Sequence, residues 1–124
     1  ARLTSADLQF IGAFKVTATA QDEGTTGFGP GRIVVSPQTN SFFINGLDKA
    51  KSNTKITLAE FYIPDFTDTL NFDNLVETGP PVQDYSSFID RIPFKDGSEN
   101  IRDISGMEII DGRLFVSAHD PYDA

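Results

Sequence analysis

The chain has 124 residues, enough for one ordinary domain with a real core and too few for two comfortable ones. It contains no cysteine, which excludes a disulfide framework, Cys-ligated zinc, iron–sulfur clusters and a thiol nucleophile. Its 18 Asp+Glu against 10 Lys+Arg give a formal charge of -8, so phosphate backbones and anionic lipid surfaces would repel it, and nucleic acid and membrane are poor partners.

No apolar run approaches the ~20 residues of a membrane-spanning helix. The first residues show no basic-then-apolar signal, and the expectation is a soluble, mature or trimmed product. The apolar fraction of 39% is low for a globular domain, but the 11 Phe offset it, because each buries far more area than Val or Ala.

In chain order, Thr4 or Ser5 caps a turn ahead of Asp7 and Leu8, and Gly12 limits that turn to about one cycle. Phe10 to Val16 reads as a strand. The stretch Gly24 to Gly31 reads as a tight entry into the next one, Arg32 to Ser36. Pro37-Gln-Thr-Asn40, with Pro placed to start a type I turn, joins that strand to Ser41–Asn45 as a hairpin. Ile56 to Ile63, ending at Pro64, supplies a third strand. From Asp65 to Ser87 the chain carries Asp65, Asp68, Asp73 and Asp84 and a Gly79-Pro-Pro81 stop, which reads as a surface insertion with one short strand near Leu75-Val76. The sharpest local signal is Met107 to Ala118, where Asp111-Gly112 is the dipeptide that accepts the positive φ angles of a two-residue type I′ turn. In its second strand Leu114, Val116 and Ala118 face one way and Arg113, Phe115 and Ser117 the other. Apolar groups on both faces predict cover on both sides.

The pattern is all-β. Gly31-Arg-Ile-Val-Val-Ser-Pro-Gln-Thr-Asn-Ser-Phe-Phe-Ile-Asn-Gly46 lies over Gly106-Met-Glu-Ile-Ile-Asp-Gly-Arg-Leu-Phe-Val-Ser-Ala118 once the first turn is allowed its longer loop. A weaker echo links Glu60-Phe-Tyr-Ile-Pro64 to Ile89-Asp-Arg-Ile-Pro93. A repeated, covered sheet predicts antiparallel sheets of β-propeller blade type, with a first blade over 10–64, the insertion over 65–87 and the start of a second blade over 88–124. Closure needs at least about four blades, so closure is incomplete, and the expectation is a fragment or a subunit of a larger assembly. The alternative is a small, self-contained β-sandwich whose repeat is coincidental.

The segments Leu8-Gln-Phe-Ile-Gly-Ala-Phe-Lys-Val16, Gly29 to Gly46, Ala59-Glu-Phe-Tyr-Ile-Pro64 and Asp111 to Asp123 carry a resemblance. With them the chain resembles the N-terminal part of a loosely defined group of uncharacterised propeller-like proteins of marine bacteria and phages. The resemblance spans most of the chain apart from 65–87, and its motifs are structural. It implies a piece, processed product or short version of a longer protein, and it brings no catalytic residues.

His119 is the only histidine, and Ala118-His-Asp-Pro-Tyr-Asp-Ala124 sets it beside Asp120, Tyr122 and Asp123 at a strand end. These four are the candidate ligand-binding rim, with His119 able to titrate near neutral pH. The commoner arrangement of such a sequence is an Asp-Pro turn with Tyr122 packed back on the sheet. The oxygens of Asp65-Phe-Thr-Asp-Thr-Leu-Asn-Phe-Asp73 are of the kind calcium uses, but without an EF-hand core they read as a solvated acidic loop. Glu60, Glu108 and Asp111 flank strands as candidate carboxylates for glycoside hydrolysis, against the commoner fate of Glu60 and Glu108 as exposed partners of Lys or Arg. Gly27-Phe-Gly-Pro-Gly31 is no phosphate fingerprint, since no helix follows and Pro30 removes a donor. No nucleophile elbow, zincin motif or glycosylation acceptor occurs, and no metal or cofactor is implied.

These readings predict a non-enzymatic structural or recognition module, extracellular or virion-associated, acidic, and joined to other protein chains, to the rest of its own protein or to a glycan through open sheet edges. The rival is part of a secreted carbohydrate-active hydrolase or lyase, by analogy of fold alone.

Overall fold

The computed structural model of the chain describes residues 2–17, 32–48, 55–87 and 103–119. It is all-β and antiparallel, as the short Phe-, Ile- and Val-rich runs require. A 3-10 turn, Ser5–Asp7, comes first; then β1 (Ile33–Ser36), β2 (Ser41–Asp48), β3 (Lys55–Tyr62), a second 3-10 turn (Phe72–Asn74), β4 (Gln83–Ser87), β5 (Asp103–Ile110) and β6 (Arg113–His119). β1 to β4 form one sheet in chain order, and β5 with β6 forms a second.

Local chemistry explains the turns. The Asp7 carboxylate accepts from the Thr4 hydroxyl and the Thr4 N–H, each at 2.7 Å. Those two bonds, the hydroxyl's first, hold the Asp7 carboxyl below its ordinary value. Both expected hairpins are present. Pro37–Asn40 joins β1 to β2 with Asn40 at φ 50, a conformation Asn tolerates better than most residues. Asp111 and Gly112 sit at φ 50 and 71, the two positive values of a type I′ turn, and Ile110 opposes Arg113 directly across it.

Two stretches differ from expectation. The segment expected to be a surface insertion ends in β4, which pairs with β3 across a bulge between Leu58 and Glu60. Its sequence, Gln-Asp-Tyr-Ser-Ser, has one apolar side chain, Tyr85, and that one points into the core at 6% exposure. The short strand expected near Leu75-Val76 is reduced to a single parallel bridge between Lys15 and Glu77, and Phe10 to Val16 makes that bridge and one more, Ala13 with Thr67, instead of a continuous ladder. At Gly12, with φ +152, this segment, the strap, runs so close to the Phe66-Thr67 loop that no Cβ would fit.

Three layers result. Phe42 opposes Phe61 in the β2–β3 register, so these two, with Ala59 and Tyr85, share one face of the large sheet. Their rings lie 5.9 Å apart for Phe42–Phe61 and 6.2 Å for Phe61–Tyr85. Phe14 and Val16 of the strap cover this face. On the opposite face Leu58 packs against Ile104, which is fully buried among Met107, Val116 and Ala118 of the β5–β6 hairpin. Arg32 Nε donates to the Ile104 carbonyl at 2.9 Å and ties the two sheets together.

The cover is incomplete. In β6, Leu114, Val116 and Ala118 are half-buried, but Phe115 on the other side is 52% exposed, so among the described residues the hairpin is covered on one face and not on both. On the strap side of the large sheet, Ile33 and Val35 of β1 are also largely exposed. The Gly24 to Gly31 stretch and the Ile89 to Pro93 echo lie outside the described residues.

Candidate functional site

His119 closes β6 and is exposed. Its Nδ1 shares a hydrogen bond of 2.8 Å with Ser105 Oγ. Regular counting from the Asp111-Gly112 turn would oppose Ser105 to Ala118, but the bulge between Ile104 and Gly106 shifts the register and brings Ser105 beside His119. Nothing in the sequence signals that pair. Asp120, Tyr122 and Asp123, the rest of the expected rim, lie outside the described residues. A nucleophilic Ser–His pair needs a third group that orients the imidazole. Among the described residues no carboxylate is hydrogen-bonded to His119.

The acidic residues separate into three situations. Asp65, Asp68 and Asp73 are exposed, and among the described residues no three His, Asp or Glu side chains gather as a metal cluster. Glu60 is half-buried, and among the described residues it has no Lys or Arg partner, which differs from its expected role as an exposed ion-pairing residue. Ser41, itself fully buried, donates to Glu60 Oε1 at 2.6 Å. Behind it the Thr39 hydroxyl lies 2.6 Å from Ser41 Oγ and donates to Ser36 Oγ at 2.8 Å. This hydroxyl chain runs from the β1–β2 turn onto the hairpin-facing side of the sheet and satisfies the carboxylate there.

Glu108 and Asp111 behave differently, since both stay exposed and both line one groove of about 490 Å³ between β1 and β5. Val34 and Val35 line it from the first hairpin and Ile109 from the second, and Gln38 and Gly112 mark the two adjacent turns. A second hollow of about 340 Å³ lies on the hairpin beside Gly106, Phe115 and Ser117. The groove brings apolar lining, an open strand edge and two carboxylates together. Chemically it can hold an apolar body with a cationic group. Sequence reasoning singled out Glu108 and Asp111 separately, but not the groove, because the two hairpins that form it are about seventy positions apart and their juxtaposition depends on Ile104 packing.

Comparison of the chain with protein-family models, with curated proteins and with solved structures gave no match.

Proposed function

We propose that the chain is a non-enzymatic structural or recognition module built from sheets of β-propeller blade type, extracellular or virion-associated, that joins other protein chains or the rest of its own protein through its β-sheet edges. The observation that carries this reading is the pair of uncovered apolar strips on opposite sides of the stack: Ile33 and Val35 on the strap side of β1, 56% and 49% exposed, and Phe115 with Ile110 on the outer face of the hairpin, 52% and 46% exposed. A sheet that repeats and stacks leaves such strips at both ends until a neighbour covers them. The four-strand meander, with the next hairpin laid over one face beside the first strand, supports the blade reading. The resemblance to propeller-like proteins of marine bacteria and phages points the same way.

Light scattering after gel filtration, run with thermal unfolding, tests it. A defined assembly that Phe115→Lys or Ile33→Lys disperses without unfolding the chain is the expected result. A monomer at all concentrations with one sharp transition overturns it in favour of a self-contained sandwich.

A second reading, part of a carbohydrate-active hydrolase or lyase, draws on Glu108 and Asp111 lining one concave groove. Their exposure to solvent ranks it second. Turnover of a polysaccharide panel, abolished by Glu108→Gln or Asp111→Asn, would promote it.

A further inference from the structure

We propose that the groove between β1 and β5 seats a short, extended, lysine- or arginine-bearing segment of another protein, added as a strand along the outer edge of β1. The inference rests on the edge-association reading above and names the partner's chemistry.

The backbone argument comes first. The Asn45 N–H donates to the Arg32 carbonyl at 3.4 Å, which places Arg32, Val34 and Ser36 with their peptide groups toward β2. By antiparallel alternation Ile33 and Val35 turn their N–H and C=O groups outward. Among the described residues no strand pairs with that side of β1. Proteins ordinarily guard such an edge with a charge, a proline or a bulge. The opposite edge of the same sheet has two of these, Asp84 within β4 and the bulge between Leu58 and Glu60. Ile33-Val-Val-Ser36 has none, and beside the groove the outward main-chain groups of Val35 have no strand partner among the described residues. A bare edge of strong strand formers next to a cavity is the arrangement that captures an extended peptide by main-chain hydrogen bonds.

Charge then selects the occupant. The lining contributes Glu108 and Asp111 and no Lys or Arg. A second copy of this chain would bring its own -8 to the contact, whereas a basic segment gains from the carboxylates and from the field of the whole molecule. Alternate side chains of an added strand point to opposite faces of the sheet, so a basic set faces Val34 and the carboxylates on the hairpin side while an apolar set covers Ile33 and Val35 on the strap side.

The test is fluorescence anisotropy with a short labelled, end-capped peptide alternating valine and lysine. Matched peptides alternating valine and glutamate, or N-methylated at alternate amides, serve as controls. Saturable binding by the Val-Lys peptide alone is expected. Val35→Pro removes one outward N–H without touching the β1–β2 ladder, and should weaken binding about tenfold or more. Glu108→Gln and Asp111→Asn, which leave the backbone intact, should each weaken it several-fold. Equal binding of the Val-Glu peptide, or binding unchanged by Val35→Pro, overturns the proposal. Light scattering on the same variants separates the two claims: if Val35→Pro disperses an assembly while no peptide binds, edge association stands and the basic strand is overturned.

Discussion

Phe14 lies over Phe42 with ring centroids 5.6 Å apart and planes inclined at 47°. This contact fastens to the sheet a strap that, among the described residues, makes two isolated bridges, so the strap depends on side-chain packing rather than on a ladder. Phe14→Ala should lower the stability of the chain by about 2–3 kcal/mol, because it opens a gap over Phe42. Phe115→Ala, at a ring exposed on the outer face of the hairpin, should cost no more than about 0.5–1 kcal/mol in the isolated chain. Denaturant midpoints of the two variants check the contrast.

Gly12 and Gly112 both hold positive φ, for different reasons. A Cβ on Gly12 would stand 2.3 Å from the Phe66 ring and 2.8 Å from the Thr67 carbonyl, whereas at Gly112 the nearest atom is Gln38 Oε1 at 4.0 Å. Gly112→Ala should therefore cost only the backbone term, about 1–2 kcal/mol. Gly12→Ala should add a clash with backbone and release the strap. Hydrogen exchange at the Ala13 and Lys15 amides, which donate to Thr67 and Val76, should accelerate in Gly12→Ala and not in Gly112→Ala.

Tyr85 sets the alkaline limit. Burial, and then the nearby Asp84 carboxylate, push its phenol up to about 12 from an ordinary 10.0. The raised value means the folded chain keeps a proton that the unfolded chain loses above pH 10. Stability is therefore constant for this group below pH 10 and falls as pH rises from there toward about 12. Tyr85→Phe should flatten that slope in thermal unfolding between pH 9 and 12, and a slope unchanged by the substitution would refute the assignment.

The Arg32 side chain donates across the two sheets to the Ile104 carbonyl. Arg32→Gln should loosen the hairpin by about 1 kcal/mol, discounted for the exposure of the guanidinium. Limited proteolysis within β5 should accelerate while the β2–β3 core stays protected.

The strands that were legible in the sequence are those whose turns dictate them. Asp111-Gly112 admits almost no other conformation than the one it adopts, and Pro37 to Asn40 is nearly as restrictive. β4 was not legible, because its polar residues carry no alternation and Tyr85 alone reports the buried face. Phe10 to Val16 has strand chemistry yet forms no continuous strand, because its partners at Thr67, Val76 and Thr78 belong to a loop. At the site, Glu108 and Asp111 were visible as separate acids. The hydroxyls that satisfy Glu60 were not, since Ser36, Thr39 and Ser41 read as turn residues. The groove arises from packing between distant segments, which no local pattern encodes.

The strap's attachments close long loops. Thr17 N–H donates to Thr78 Oγ1 across a separation of 61 residues, and the Gly79 N–H returns to Thr17 Oγ1 across 62. Closing a loop of that length is entropically slow, whereas the two tight hairpins form from neighbours in the chain. These separations predict hairpins first and strap last in folding, and the reverse on unfolding. Substitutions in the strap should raise the unfolding rate and leave the folding rate almost untouched, so the segment that seals the Phe42 face is also the first to let go.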